Sequence, residues 1–437
     1  MDETSQIKIG VCGGVDSGKS SLIGVLTHNK LDDGKGYARS LILKSKHEKE
    51  SGRTSNVSYN YINYPNENKE VTLIDLAGHI KYLKTTLYGI TGHFLDYGIV
   101  VVGSNMGINV MTKEHMTILL WLKIPFIVVM TKVDMCPENV YVQHKKRLRQ
   151  MLKIPLFSKR SIVINTEEDF ETLNINCQNE NYFNTMIPII STSCKTGQNI
   201  DNLHKMLKVL PISHKQINVV NIPRQIHNVS ILTYIECIYN VKGVGIVVTG
   251  FLGETCTPIH VGSELYIGPF GTTQIKLCPV RVRGLHDNFR QSLRTIMPGH
   301  SFCANIRFPD MHLEKSQIKK GMVLTSDPSI IQQMSMKFKA KIKMLNFKTT
   351  VGLNYTPVIH CRTIRQAARV TEIFDDEKAP IIDDGKNLTP MEKIIRGDTE
   401  YTVEFTFDSR PEYIEIGAPL FFRDGTTKGF GEIIDVL

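Results

Sequence analysis

The sequence predicts a mostly parallel α/β sheet domain followed by two β-barrels. Three observations carry this. The first half alternates near-continuous apolar runs with helical patterns, as strands buried on both faces and their covering helices do. After about Pro211 the helical periodicity fades, and short alternating runs with Gly-rich turns take over. The chain has 437 residues, too many for one core, and the usual domain size suggests roughly two to four domains.

Ile7-Lys8-Ile9-Gly10-Val11-Cys12 reads as a short strand running into a Gly-rich turn, with a helix pattern from Gly18 to about Thr27. Val71-Thr72-Leu73-Ile74 is a second strand, followed by a helix from about Ile80 to Gly92. Gly98-Ile99-Val100-Val101-Val102 and Pro125-Phe126-Ile127-Val128-Val129-Met130 are apolar throughout, and Ile187-Pro188-Ile189-Ile190 is the last strand of the domain. Helices are expected at about 111–122, 137–153 and 199–209. Ile154 to Met186 is polar, Asn-rich and poorly periodic, and reads as a surface insertion.

Beyond Pro211, Ile231-Leu232-Thr233-Tyr234-Ile235-Glu236-Cys237-Ile238 opens the β-rich region, with turn glycines at 243, 245, 250, 253, 262 and 268. Met336 to Met344 alternates with period two, placing four lysines on one face and Phe338, Ala340 and Ile342 on the other. A solvated barrel face explains that lysine row better than an RNA-phosphate track. Two barrels of about 110 residues each fit the remaining length. The expected domains are 1–215, 216–328 and 329–437, with the barrel seam near Thr325–Gln333.

Hydrophobic residues are 41% and charged residues 22%, which excludes wholesale disorder. No run approaches the ~18 consecutive apolar residues of a membrane span. Met1-Asp2-Glu3-Thr4 lacks the basic flank and apolar core of a signal peptide, so a cytoplasmic location and no membrane partner are expected. The formal net charge of +9 permits an acidic partner such as RNA without requiring one. The nine cysteines are never closer than 17 residues, which leaves no CxxC metal clasp and suggests reduced, mostly buried thiols.

The strongest motif is Gly13-Gly14-Val15-Asp16-Ser17-Gly18-Lys19-Ser20, matching G-x-x-x-x-G-K-[ST] between a strand and a helix. Backbone N–H groups of residues 14–21, from Gly14 through Ser21, would wrap phosphates at the helix N-terminus. Lys19 would reach the outer phosphates and Ser20 would bind Mg2+. Asp75-Leu76-Ala77-Gly78 ends the second strand: Asp75 can hold Mg2+ through water, and the Gly78 N–H can meet a γ-phosphate. Thr131-Lys132-Val133-Asp134 ends another strand. Asp134 can accept the two N–H bonds that guanine offers and adenine lacks, with the Lys132 stem flat on the base. Ser193-Cys194-Lys195 follows the last strand and can present a backbone N–H to guanine O6. Four motifs in this order at strand ends predict a GTPase.

The set resembles the translational GTPase superfamily of elongation factors Tu and one-alpha, and within it the GTP-binding protein 1 and 2 family. The resemblance is carried by Leu26-Thr27-His28, by Leu31 to Arg39, by Glu50-Ser51-Gly52-Arg53-Thr54-Ser55 and by Asp75 to His79 with Tyr82 to Thr86. It continues in Thr91-Gly92-His93, Gly103 to Gly107 with Met111 to His115, and Thr131 to Pro137. Weaker similarity continues through Gly243 to Gly250, Lys320 to Leu324 and Thr363 to Gln366. It implies a GTPase domain with two barrels, acting with aminoacyl-tRNA or the ribosome, or in RNA surveillance, as a monomer. It also implies that Thr54 joins Ser20 and Asp75 on Mg2+, that Asp16 helps hold a monovalent cation such as K+, and that His79 positions the attacking water. Lys19 stabilises developing phosphate charge.

Three departures from the elongation-factor pattern stand out. Thr131 replaces Asn, a shorter group expected to bond the base and the phosphate loop less well, although the nearer family shares it. Arg53 replaces the Ile that would gate His79 together with Val15. Ser17 replaces a His. The altered gate motivates a second reading, a GTP-dependent adaptor with little hydrolysis. A third is a regulatory GTPase subunit of a metabolic enzyme. Elsewhere, the basic run Gln143 to Arg149 reads as a solvated helix face. Arg281, Arg283, Arg290 and Arg294 fit RNA contact and solvated surface equally. Trp121 is expected in the core, and Cys194 is expected to be inert.

Overall fold

A computed structural model describes residues 4–43, 48, 54, 56–179, 181–211, 230–309, 314–344, 351–374, 394–395, 400–424 and 427–437. Arg53 and residues 1–3 lie outside the described residues. The chain divides into two compact units, Met1–Ile90 with Phe94–Lys215, and Thr91–His93 with Gln216–Leu437.

The first unit is a seven-stranded sheet in the order β2-β3-β1-β4-β5-β7-β6. Its strands are β1 (Ser5–Gly13), β2 (Ser58–Tyr64), β3 (Lys69–Asp75), β4 (Tyr97–Gly103), β5 (Phe126–Thr131), β6 (Arg160–Ile164) and β7 (Met186–Ser191). All neighbours run parallel except β2, which pairs antiparallel with β3 at the edge. Every residue of β3, β4 and β5 is buried, because helices cover both faces. Those helices include α1 (Lys19–His28), α2 (Tyr37–Ile42), α3 (Leu83–Thr91), α4 (Val110–Trp121) and α5 (Glu138–Leu152). They continue with α6 (Glu167–Cys177), α7 (Tyr182–Thr185) and α8 (Ile200–Val209).

Three expectations need correction. The segment 154–186 is no surface insertion: β6 joins the sheet beside β7, and Phe170, Leu173, Cys177 and Phe183 enter the same core as Ile9 and Val101. Its polarity belongs to the outer face of α6. The N-terminus of α6 is held by a capping box between Thr166 and Asp169, a spacing visible in the sequence. The helix expected from Ile80 begins as a 3-10 turn, Ile80–Tyr82, and becomes α-helical only at Leu83. Trp121 is half-buried at the end of α4 rather than core, and His115, Met116, Ile118 and Leu119 carry the buried face. β2 and α2 carry too little periodicity to stand out in the sequence.

The second unit holds two barrels. The first closes through strands Glu264–Phe270, Val323–Thr325, Leu232–Val241, Gly245–Phe251, Ser301–Arg307 and Lys276–His286, the last returning to the first. The second closes through Lys337–Met344, Glu400–Phe407, Ile364–Phe374, Val358–Cys361, Pro419–Asp424 and Thr427–Val436. Each has its own apolar core. Strand Lys337–Met344 alternates as its sequence predicts, with Phe338, Ala340, Ile342 and Met344 inside. On the outer face Lys341 meets Glu400 at 3.3 Å and Lys337 meets Glu404 at 3.8 Å. Carboxylates of the neighbouring strand thus neutralise part of the lysine row, which suits a solvated face better than a phosphate track.

Candidate guanine-nucleotide site

Parallel register delivers the four motifs to one edge of the sheet. Val11 lies opposite Asp75, Gly13 opposite Val101, Gly103 opposite Thr131, and Met130 opposite Ser191. The C-terminal ends of β1, β3, β5 and β7 therefore open into a common crevice, where ligands of such sheets bind.

After β1 the chain turns through Gly13 (φ 145°), Asp16 (φ 57°) and Gly18 (φ 88°). Gly18 caps α1 without any side-chain hydrogen bond, so the first N–H groups of α1 remain free for an anion. Lys19 is 7% exposed, and its Nζ donates to the Gly14 carbonyl at 2.7 Å and to that of Gly13 at 3.3 Å. Burial pushes its pKa down, opposed by the charges of Asp75, Cys12 and Asp16. A phosphate in the cleft would add counter-charge beside this cation. Gly78 must be glycine, because a Cβ there would lie 2.5 Å from Lys19 Nζ and 2.7 Å from the Gly13 carbonyl oxygen. Its backbone thus closes on the loop. The Ser17 hydroxyl is buried without a hydrogen-bond partner.

Three oxygens meet beside Lys19. Asp75 Oδ2 accepts from Ser20 Oγ at 2.8 Å and from Thr54 Oγ1 at 3.0 Å, and the two hydroxyls are 3.0 Å apart. Asp75 is fully buried, and its Oδ1 has no hydrogen-bond partner. Burial pushes its pKa up, while Lys19 and the two hydroxyls pull it back. An all-oxygen set around an orphaned buried carboxylate oxygen fits Mg2+.

At the other end of the crevice Thr131 bonds the phosphate loop despite its short side chain. Its hydroxyl reaches the phosphate loop, donating to the Ser17 carbonyl at 2.5 Å. Lys132 adopts φ 59° and donates from Nζ to the Asp16 carbonyl at 2.7 Å. Asp134 accepts from Ser193 Oγ at 2.6 Å, and Ser193 Oγ in turn accepts from the N–H groups of Lys195 and Thr196. The Cys194 carbonyl accepts from the Asp32 N–H. Burial, with Asp32 and Asp134 nearby, raises the Cys194 thiol to about 12, which makes it inert.

His79 is half-buried and opens the 3-10 turn, where its Nδ1 accepts from the Lys81 N–H at 3.1 Å. A neutral ring held this way carries its proton on Nε2. The phosphate cleft is lined by Val15, Asp16, Lys19, Thr54, Gly78 and His79, and also by Arg39. Arg39 lies outside every nucleotide motif of the sequence. Also unforeseen is His115, fully buried under the loop, whose Nδ1 accepts from the Gly13 N–H at 3.1 Å. Burial lowers its pKa to about 3, so it stays neutral. Away from the crevice, α5 buries Leu148 and Leu152 and exposes Lys146, Arg147 and Arg149, as a solvated face does. Arg281, Arg283, Arg290 and Arg294 are all exposed on the first barrel. All nine cysteines are free. Among the described residues no helix is long and apolar enough to cross a membrane.

Residues 4–212 match the family described as the Elongation factor Tu GTP binding domain. Across 99% of its length the chain is 34% identical to GTP-binding protein 1 of Xenopus laevis, and it spans 64% of that protein, less than two thirds. It is 32% identical to GTP-binding protein 2 of Mus musculus, over 98% of the chain and 69% of that protein. Its fold is that of translation elongation factor SelB from Methanococcus maripaludis in complex with the GTP analogue GppNHp. There the TM-score is 0.66 at 22% identity, over the whole chain and 80% of that structure.

Proposed function

The chain belongs to the translational GTPase family of GTP-binding proteins 1 and 2, and from that premise we propose that it binds GTP and hydrolyses it to GDP and phosphate in translation or associated RNA surveillance. The observation that carries the reading is the cluster of Ser20, Thr54 and Asp75 oxygens beside buried Lys19, at the uncapped tip of α1. Asp134 and Lys132 hold the guanine base, with the Cys194–Lys195 backbone at its O6. Residues 14–21 of the loop and Gly78 hold the phosphates, and Ser20, Thr54 and Asp75 hold Mg2+. When bound, the metal would supply positive charge that offsets the negative charge of the phosphates. Asp16, which lines the cleft, supplies one ligand to a monovalent cation such as K+.

In the reaction a water oxygen bonds to the γ-phosphorus while the bond from phosphorus to the bridging oxygen breaks. The electron pair leaves with GDP, and the proton lost by the water ends on the phosphate. His79 orients that water through its Nε2 edge, and Lys19 meets the developing charge. With Nδ1 accepting from the Lys81 N–H, the ring presents an N–H rather than a lone pair at Nε2, so it orients the water instead of taking its proton. Turnover therefore waits on an activator, proposed to be the ribosome with aminoacyl-tRNA bound to a monomeric cytoplasmic factor. The test is GTP hydrolysis by the wild type and by His79→Ala, with and without ribosomes plus aminoacyl-tRNA. Stimulation of the wild type that is absent in the variant supports the reading. Nucleotide binding without stimulation would point to an adaptor instead.

A further inference from the structure

We propose that Arg39 is a catalytic cation supplied from within the chain, whose guanidinium contacts the γ-phosphate as it is transferred. The inference rests on the GTPase reading above and adds a residue to it. Arg39 lines the phosphate cleft with Lys19, Thr54, Gly78 and His79. Among the described residues no hydrogen bond or ion pair engages its guanidinium. A solvated helix arginine would be the ordinary explanation, but the local scaffold is built to aim this one.

Helix α2 docks on α1 at Gly24, where a Cβ would run into the Ala38 carbonyl. Ala38 itself is 0% exposed. Two carboxylates set the first turn of α2: Asp32 Oδ1 accepts from the Ala38 N–H at 2.8 Å, and Asp33 Oδ1 accepts from Lys35 N–H at 2.7 Å and Tyr37 N–H at 3.1 Å. The Asp32 N–H is in turn tied to the Cys194 carbonyl of the base loop. Gly36 then adopts φ 100°, and the Arg39 side chain folds back across it, so that a Cβ on Gly36 would sit 3.0 Å from Nη2. A helix pinned at both its docking face and its first turn thus holds over the cleft a half-buried guanidinium that has no partner among the described residues.

The chemistry at that place calls for such a group. As the bond to the bridging oxygen breaks, charge spreads over the equatorial oxygens of the γ-phosphoryl. A planar guanidinium offers two parallel N–H donors to two of those oxygens and keeps its proton throughout. Lys19 and the α1 N-terminus serve phosphates that GDP and GTP share as well as the γ-phosphoryl, whereas Arg39 is needed only for the γ-phosphoryl being transferred. Its loss should therefore spare GDP binding.

The experiment measures GDP affinity, single-turnover GTP hydrolysis, and binding of GDP with aluminium fluoride, for wild type, Arg39→Ala and Arg39→Lys. Arg39→Ala should keep GDP affinity, lose binding of the aluminium fluoride complex, and slow single turnover roughly 10³-fold, the lower end of what an arginine gives this transition state. Arg39→Lys keeps the charge and stem but not the fork, and should fall between. Hydrolysis and aluminium fluoride binding unchanged in Arg39→Ala would overturn the inference while leaving the GTPase reading intact. Equal losses of GDP and GTP affinity would overturn it too, showing a structural role. A wild type that binds no guanine nucleotide would overturn both.

Discussion

Thr131→Val isolates one hydrogen bond in the phosphate loop. Thr131 is 1% exposed, and its hydroxyl donates to the Ser17 carbonyl at 2.5 Å. Valine keeps the β-branch and volume but not the donor. The Ser17 carbonyl then loses its partner next to a Ser17 hydroxyl that is already buried without one. Leaving such a buried acceptor unpaired costs about 1–3 kcal/mol. Among the described residues one other side chain at the end of β5 holds the loop, Lys132 on the Asp16 carbonyl. The cost should therefore appear as loop disorder that nucleotide binding must reverse, weakening affinity by roughly 5- to 150-fold at about 1.4 kcal/mol per decade. The bond lies at the base side of the loop, away from the γ-phosphate, so GTP and GDP should weaken alike. Stopped-flow release of fluorescent GDP and GTP analogues reads this directly. A variant with wild-type affinity and wild-type melting temperature would refute the reasoning. So would a selective loss of GTP.

Three further outcomes follow from the geometry. Asp134→Asn replaces an acceptor carboxylate with an amide that donates, so competition binding should show GTP affinity lost and xanthosine triphosphate, with a carbonyl in place of guanine's exocyclic amine, gained. Gly24→Val would force α2 off the Ala38 carbonyl contact, at about 1–3 kcal/mol of overpacking; the melting temperature should fall, and single-turnover hydrolysis should fall with Arg39 displaced. In the barrel unit, burial raises Glu412 from its ordinary 4.5 to about 8 despite Arg410 at 2.8 Å. The folded state therefore holds a proton between these values that the unfolded state releases. Stability from this group is present near pH 5 and is lost as pH rises through about 8. Melting temperatures across that range should show the slope in the wild type and a flatter profile in Glu412→Gln.

The legible parts of the fold were those whose signal is local. β4 and β5 are apolar at almost every position because both faces are covered, and strand Lys337–Met344 alternates because one face is core. The segment 154–186 hides its elements for the opposite reason. β6 is an edge strand with half-buried residues, and α6 buries only Phe170, Leu173 and Cys177 of its eleven residues, so neither shows a strong period. Trp121 shows the limit of composition: in an apolar stretch at a helix end, Ile118 and Leu119 take the buried face and leave Trp121 half-buried.

The same distinction runs through the site. Lys19, Asp75, Asp134 and their neighbours lie in motifs whose spacing is set by one loop or one strand end, and the parallel register alone brings those ends together. Arg39 and His115 belong to no such motif. His115 reaches the Gly13 N–H because α4 packs under β1, a contact between residues 102 apart in sequence. Arg39 reaches the cleft because Gly24 admits the α2 backbone, Asp32 and Asp33 set its first turn, and Gly36 leaves room for the guanidinium. Each of these four residues reads in sequence as an ordinary turn or helix residue, and only their joint packing aims the arginine. Thr131 makes the complementary point. Judged by reach alone, a shorter side chain predicts a looser loop. In the folded chain Gly18 carries no Cβ, and one there would lie 3.2 Å from the Thr131 hydroxyl, so the backbone comes in close enough for the shorter group to bond. Substituting Gly18 by Ala should therefore cost nucleotide affinity in the Thr131 protein through this contact as well as through its φ of 88°.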